Sequence, residues 1–430
     1  AFEIFILKVN FVSPSFLFTA SFLICLCSSV AISEYWGFYY LNIETSRIIV
    51  TSIILFVIVE EFVRLLSVLF KKVPDSNKKF YYIYNKEIPL PTSILYFSIL
   101  ISFIGLLWSG YYIYGYVRSG DWVSMMAEYK DVVNQDAKSF GSGRILLNQL
   151  MKISTVINYI FIFVFNYNSV NLVLSKKKRR LFFFSFLFFL LFRFFLSGGR
   201  QGVFYFLVAF LTCYYILSTY NVSRERMRKV NYRFIKMFIV ILCIVLPLFY
   251  FMGRMAGRKE SDFILEASMA YLSSGIFGFE NIVKDHYTST YWGEISFPNL
   301  FSIFKFLGVM PQSSEPISFL PFFEHGNTVS ILGRWYWDFG PLGTYVMVSI
   351  TSCLYSLLYY FGIQNSRRLI HRNILVIIYC VIVYVLYFAG YDDLFMNIIS
   401  LNYFLIFFFI VVVYYLFIPQ FCVRVTKMQK

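Results

Sequence analysis

The chain has 430 residues, of which 59% are hydrophobic, 22% aromatic and only 14% charged. A soluble domain of this size needs far more polar surface, so the composition excludes one and points to a polytopic, all-α membrane protein. The net charge of +15 is scattered over separate short segments rather than gathered on one face, which argues against a nucleic-acid partner.

Crossing a bilayer core takes about 20 apolar residues. By that measure ten spans are expected, at 14–32, 48–70, 92–117, 146–167, 181–197, 201–220, 234–252, 338–361, 374–390 and 398–418. The sequence opens on Ala1 rather than Met. The segment after it lacks a small-residue cleavage pattern and reads as a retained span, with no soluble domain expected at either end. The fifth span, with its phenylalanines from Phe182 to Phe195, is apolar all round and is expected to face lipid on much of its circumference. Within the second span, Glu60 and Glu61 read as an internal ion pair with Arg64, or as an ion relay. All seven cysteines lie in or beside apolar runs, so disulfides are not expected. His286, His325 and His371 are far apart, and no cysteine pair has ligand spacing, so neither a metal site nor a cofactor is expected.

Orientation follows from lysine and arginine in the short connections. Lys8, the Lys71–Lys86 segment, Lys176 to Arg180, Arg224 to Lys236, Arg367 to Arg372 and the C-terminal tail together hold 23 of them. The alternate short connections hold only 6: Arg47, Arg118, Lys130, Lys138, Arg144 and Arg200. This bias puts both termini in the cytoplasm and the long polar stretch outside.

That stretch divides the chain into spans one to seven (1–252), a large external loop (253–337) and the last three spans with the tail (338–430), all within one membrane domain. Ser261-Asp262 can cap a short helix running through Met269, and Pro298 suits the first turn of a second, Asn299 to Leu307. Pro311, Pro316 and Pro321 make the remainder extended. A second external segment, Arg118 to Arg144, is also polar and long enough to fold against the first. The two halves of the chain show no repeat in hydropathy, which weakens a secondary-transporter reading.

Several constellations at the external ends carry chemistry. Ser197-Gly198-Gly199-Arg200-Gln201-Gly202 joins two spans with almost no connector; Gly198 and Gly199 let backbone N–H groups converge on an anion, and Arg200 adds a forked cation. The bland alternative is a tight turn whose arginine reaches lipid headgroups. Arg254 and Arg258, four residues apart, would stack on one helical face as a diphosphate requires, or reach headgroups instead. Arg334 and Asp338 share that spacing around Trp335-Tyr336-Trp337. They read either as a salt bridge within an interfacial aromatic belt, or as a site wall in which Trp335 and Trp337 stack on a sugar. Glu324 and His325 precede Gly326-Asn327-Thr328, which sets a proton acceptor on a flexible turn. Asp392-Asp393, at the far end of span nine, could approach from the other side or form a solvated turn.

Taken together, Asn10-x-x-Ser13-Pro14-Ser15, Ser197-Gly198-Gly199-Arg200, and Gly326-Asn327-Thr328 leading through Arg334 to Trp337-Asp338-Phe339-Gly340 resemble the O-antigen polymerases, Wzy. The resemblance implies a metal-independent glycosyltransferase of the bacterial inner membrane. It would transfer a growing glycan from undecaprenyl diphosphate to an incoming lipid-linked repeat unit on the periplasmic face. Its partners would be those two lipid-linked saccharides, membrane lipids and a chain-length regulator. The residues separately support such chemistry. Without a metal, a diphosphate leaving group needs the external arginines Arg200, Arg254, Arg258 and Arg334. A sugar hydroxyl needs a base, for which His325, then Glu324, then Asp338 are the candidates. A ligase would share donor and membrane face, and a flippase would be equally polytopic, so both stay open as alternatives.

Single cysteines at Ser289 and Ser175, in a cysteine-free background, should differ in labelling by an impermeant reagent on spheroplasts, with Ser289 reacting. Labelling at Ser175 alone would reverse the orientation.

Overall fold

The computed structural model describes residues 10–36, 40–70, 87–116, 124–126, 128–129, 141–197, 199–220, 224–255, 264–286, 288–289, 291–309, 328–366 and 369–427. Among these residues every regular element is helical. The principal helices are α1 (Pro14–Ala31), α2 (Ile43–Leu69), α3 (Thr92–Tyr116), α4 (Gly141–Val170), α5 (Lys176–Ser197) and α6 (Gln201–Thr219). They continue with α7 (Arg224–Met255), α8 (Ile264–Lys284), α9 (Pro298–Phe306), α10 (Ile331–Ser356), α11 (Leu369–Ile382) and α12 (Leu401–Lys427). Helices lie over each stretch that hydropathy singles out. Among the described residues six are long and apolar enough to cross a membrane, and two shorter apolar helices, His371–Tyr387 and Leu401–Leu416, accompany them.

Helix packing uses polar side chains where lipid gives no hydrophobic drive. Ser98 of α3 shares a hydrogen bond with Ser185 of α5 at 2.9 Å, and Ser102 of α3 one with Ser154 of α4 at 2.8 Å. Asn158 of α4 accepts from Ser185 of α5 and donates to the Ser98 hydroxyl of α3 at 3.5 Å, so one amide ties three helices. The Phe-rich α5 buries Phe182, Ser185, Phe189 and Phe192 at helical spacing and leaves Phe183, Phe184 and Leu187 exposed. Its outward face is thus exposed and apolar.

The ion pair in α2 forms differently from expectation. Arg64 pairs with Glu61, and both side chains are about half exposed, at 52% and 45%. Glu60 points the other way. It is buried, accepts from the Ser15 backbone N–H, and accepts from the Tyr360 hydroxyl at 2.7 Å. Glu60 (i, i+4) and Glu61 (i, i+3) both stand within a turn of Arg64, but the Ser15 N–H and the Tyr360 hydroxyl claim Glu60, which leaves Glu61 to the arginine. The Ser13-Pro14-Ser15 entry to α1 is therefore fastened to α2 and to the end of α10.

The largest departure lies in the expected loop. Ser261 and Asp262 fall outside the described residues, and the helix that follows runs to Lys284, fifteen residues past Met269. It lies along α1 and places Ile276, Phe279, Ile282 and Val283 in the main core. Ser273-Ser274-Gly275 and Gly278 look like breakers in sequence. Ser273 and Ser274 instead donate to helix carbonyls, and the glycines admit neighbouring backbone. The second helix, Pro298–Phe306, falls where Pro298 predicts it. Of the other polar segment, Tyr129 is buried against the ends of α3, α5, α6 and α7. Arg144 reaches its hydroxyl and also the Leu196 carbonyl.

Within α10 the chain kinks at Gly340, whose φ of 65° and ψ of −171° suit only glycine, and Pro341 begins the continuing helix. The helix ends in a wider turn over Leu357–Gln364. The first half of α10, Ile331 to Phe339, is thereby free to lie at its own angle over the bundle.

A Cβ at Gly275 would stand 2.1 Å from the Tyr391 carbonyl oxygen, whereas one at Gly110 meets nothing within 4 Å. Overpacking of this kind costs about 1–3 kcal/mol. Gly275→Ala should lower the melting temperature in detergent by a few degrees or more, and Gly110→Ala should not. Equal melting temperatures for the two would contradict this packing.

Candidate functional site

Three stretches of backbone cross at one end of the bundle. The Ser330 N–H donates to the Gly275 carbonyl at 2.9 Å, Ile331 to Ala389 at 3.0 Å, and Asp393 to Val329 at 3.2 Å. Gly390 approaches α1 closely enough to donate its N–H to the Ser21 hydroxyl at 2.9 Å. A buried backbone donor without a partner is costly, so these bonds fix the 388–394 connection against α8 and the start of α10.

That crossing brings together charges from distant parts of the sequence. Arg334 pairs with Asp392 at 3.2 Å. Asp338 does not pair with it. Its two oxygens accept the Ile295 and Ser296 N–H groups at 3.2 and 2.6 Å, which pins the turn preceding α9. The i, i+4 salt bridge expected between Arg334 and Asp338 is thus replaced by two separate anchors, because the folded 388–397 segment offers Arg334 a nearer carboxylate. Asp393 is fully buried, and one of its oxygens accepts the Phe395 N–H at 2.9 Å.

Both aspartates lie in the connection between α11 and α12, outside the membrane-spanning helices. Burial raises the Asp392 carboxyl above its ordinary value, with Arg334 opposing. Burial pushes Asp393 up to about 7, with Arg334 opposing and Asp392 adding to the rise. Carboxyl groups whose proton affinity burial raises in this way are better suited to accept a proton than free ones.

A tyrosine stack joins this cluster to Arg200. The Arg200 guanidinium lies 4.9 Å from the centroid of Tyr271, and Tyr271 stacks on Tyr391 at 4.4 Å. Arg200 is itself buried at the start of α6. Beneath the stack is an apolar cavity of about 210 Å³ between α1, α6, α7 and α8, lined by Gln201, Tyr205, Val208, Phe238, Tyr271 and Tyr391 among others. A buried cation packed on the wall of an apolar groove is an arrangement that a lipid with an anionic head would match.

The other residues marked by the sequence fall as follows. Gly199 gives its N–H to the Ser197 hydroxyl at 3.1 Å, so the turn uses that donor internally and not toward an anion. Trp335 is 0% exposed and sits edge-on to Phe395, and Trp337 is also in the core. Neither indole has the open face that stacking on a sugar requires. Arg254 is exposed in the last turn of α7, over the Tyr250 ring at 5.2 Å. Gly198, Arg258, Glu324 and His325 lie outside the described residues.

Sequence reasoning gave no role to Tyr271 and Tyr391, and left Asp392-Asp393 undecided. The available signal was the aspartate pair itself, two acids set between apolar spans.

No family model matches the chain, and no curated protein or solved structure is significantly similar to it.

With its folded carboxyl raised above the unfolded value, Asp393 holds its proton more tightly in the native state. It therefore contributes stability at low pH that is lost as pH rises from about 4 toward 7. Asp393→Asn cannot ionise, so melting temperature should depend less steeply on pH over that window than in wild type. Parallel curves for the two proteins would show that Asp393 does not titrate there.

Proposed function

We propose that this chain is a bacterial polysaccharide repeat-unit polymerase of the O-antigen type, and so a glycosyltransferase of the inner membrane. The observation that carries the reading is the buried Arg200, packed on Tyr271 in the wall of an apolar groove and joined through Tyr271 and Tyr391 to the Asp392–Asp393–Arg334 cluster. The groove takes the polyprenyl tail, and Arg200 faces the diphosphate. Both termini are cytoplasmic, ten spans cross the membrane, and the Arg200 end opens to the periplasm, in line with the bias in basic residues.

In the transfer, a sugar hydroxyl of the incoming repeat unit attacks the anomeric carbon of the growing chain. The bond from that carbon to the diphosphate oxygen breaks, and the diphosphate leaves with the electron pair. Arg200 stabilises the charge that develops on it. The hydroxyl proton passes to a carboxylate. Asp392 is the proposed acceptor, because its side chain keeps 11% exposure and its carboxyl is raised by burial. His325 and Glu324 stay as candidates on sequence grounds, and Arg254 and Arg258 as further diphosphate ligands.

Lysine at Arg200 keeps the charge but loses the fork. Turnover of lipid-linked repeat unit should fall in Arg200→Lys and fall about 100-fold or more in Arg200→Ala. Full polymer length in Arg200→Ala would rule the assignment out. Among Asp392→Asn, His325→Ala and Glu324→Ala, the variant lacking the true base should nearly abolish polymer at unchanged protein abundance. Deleting the gene should leave a single attached repeat unit. Loss of all attached glycan would instead mark a ligase, and trapped cytoplasmic intermediates a flippase.

A further inference from the structure

A second cavity, of about 460 Å³, lies between α4, α5, α11 and α12, on the opposite side of the Ser197–Gly202 turn from the apolar groove. Two cations line it, Arg193 and Lys152, together with Asn148, Gln149, Asn402 and Tyr403. No carboxylate does. Among the described residues neither cation forms an ion pair or a side-chain hydrogen bond.

The placement of Arg193 is enforced. A Cβ at Gly202 would stand 2.0 Å from the Arg193 Nε, so the last glycine of the turn makes the room that the guanidinium fills. The guanidinium thus lies against the first turn of α6, where the helix dipole is positive. Two like charges beside a positive helix end, with no acid in the cavity, repel one another. Both side chains are only partly exposed, so water offsets that repulsion incompletely. An anion in the cavity removes the conflict. The amides of Asn148, Gln149 and Asn402 supply further donors, and their exposure sets them at the mouth.

From this geometry we infer that the cavity binds the phosphate groups of a lipid headgroup, held by Arg193 and Lys152. Resting on the polymerase reading, its occupant is the diphosphate of the incoming lipid-linked repeat unit, while Arg200 serves the growing chain. The two arginines, seven residues apart, flank the turn at which α5 stops: Arg193 lines the polar cavity, and Arg200 packs on Tyr271 in the wall of the apolar one. A tyrosine wall separates the cavities. Tyr205, in the apolar one, stacks on Tyr384 at 4.1 Å, and Tyr384 lies 6.2 Å from Tyr403, in the polar one.

The test uses the full chain carrying Arg200→Ala, in phosphatidylcholine nanodiscs, so that the other proposed anion site is removed. Its melting midpoint is followed as undecaprenyl diphosphate, phosphatidylglycerol or inorganic pyrophosphate is added. Undecaprenyl diphosphate should raise the midpoint. Half-saturation should move about tenfold or more higher when Arg193→Gln and Lys152→Gln are added, as expected from losing charge-assisted hydrogen bonds. Should that protein fail to fold, Lys152→Glu alone should weaken binding to a similar extent, since it places a negative charge in the cavity. An equal response to phosphatidylglycerol keeps the anion site but overturns its role for the incoming repeat unit. A response to pyrophosphate alone also overturns that role and assigns the site to free phosphates. No response to any probe, or responses unchanged in both variants, overturns the site. The polymerase reading fails separately, if Arg200→Ala still makes full-length polymer.

Discussion

Backbone groups cannot be left unpaired in or beside hydrocarbon, where each costs several kcal/mol. The structure meets that constraint at the crossing of α8, the 328–331 strand of chain and the 388–394 connection, where three backbone hydrogen bonds tie irregular segments to one another and to helix α8. Everything of chemical interest hangs on this knot. It positions Asp392 beside Arg334, buries Asp393, and stacks Tyr391 on Tyr271 under Arg200. Small residues are what allow it, since Gly275 and Gly390 lie where a larger side chain would meet carbonyl oxygens at 3.0 Å or less.

Electrostatic design differs between the two ends of the bundle. At the N-terminal end of α1, the buried Glu60 is satisfied by neutral donors, a backbone N–H and a tyrosine hydroxyl. At the Arg200 end, buried carboxylates stand beside arginine and keep raised proton affinities. Neutral donors hold a charge in place, whereas a mixed cluster with a carboxyl near neutrality can exchange a proton.

Helix placement was legible because apolar runs of membrane length dominate the sequence, and Pro298 marked the start of α9. The course of α8 was not. Its serines and glycines carry the composition of a loop, and only the packing partners reveal that they admit backbone and close back on their own helix. The same limit governed the site. Local spacing suggested that Arg334 pairs with Asp338, but Arg334 meets a carboxylate 58 residues away, a choice that only the tertiary fold makes. Arg200 stood out because a cation in so short a turn between apolar spans is costly wherever it points. The aromatic residues gave the reverse lesson: Trp335 and Trp337 suggested a ligand surface but are packed in the core, and the rings beneath Arg200 are tyrosines that no pattern distinguished.

The wall of Tyr205, Tyr384 and Tyr403 couples what it divides. Tyr205 belongs to one cavity, Tyr403 to the other, and Tyr384 packs against both. Tyr384 is the shared contact through which a displacement of Tyr205 would reach Tyr403. Thermodynamic linkage then makes the effect mutual: whatever factor filling the apolar groove imposes on affinity at the polar cavity, filling the polar cavity imposes on the groove.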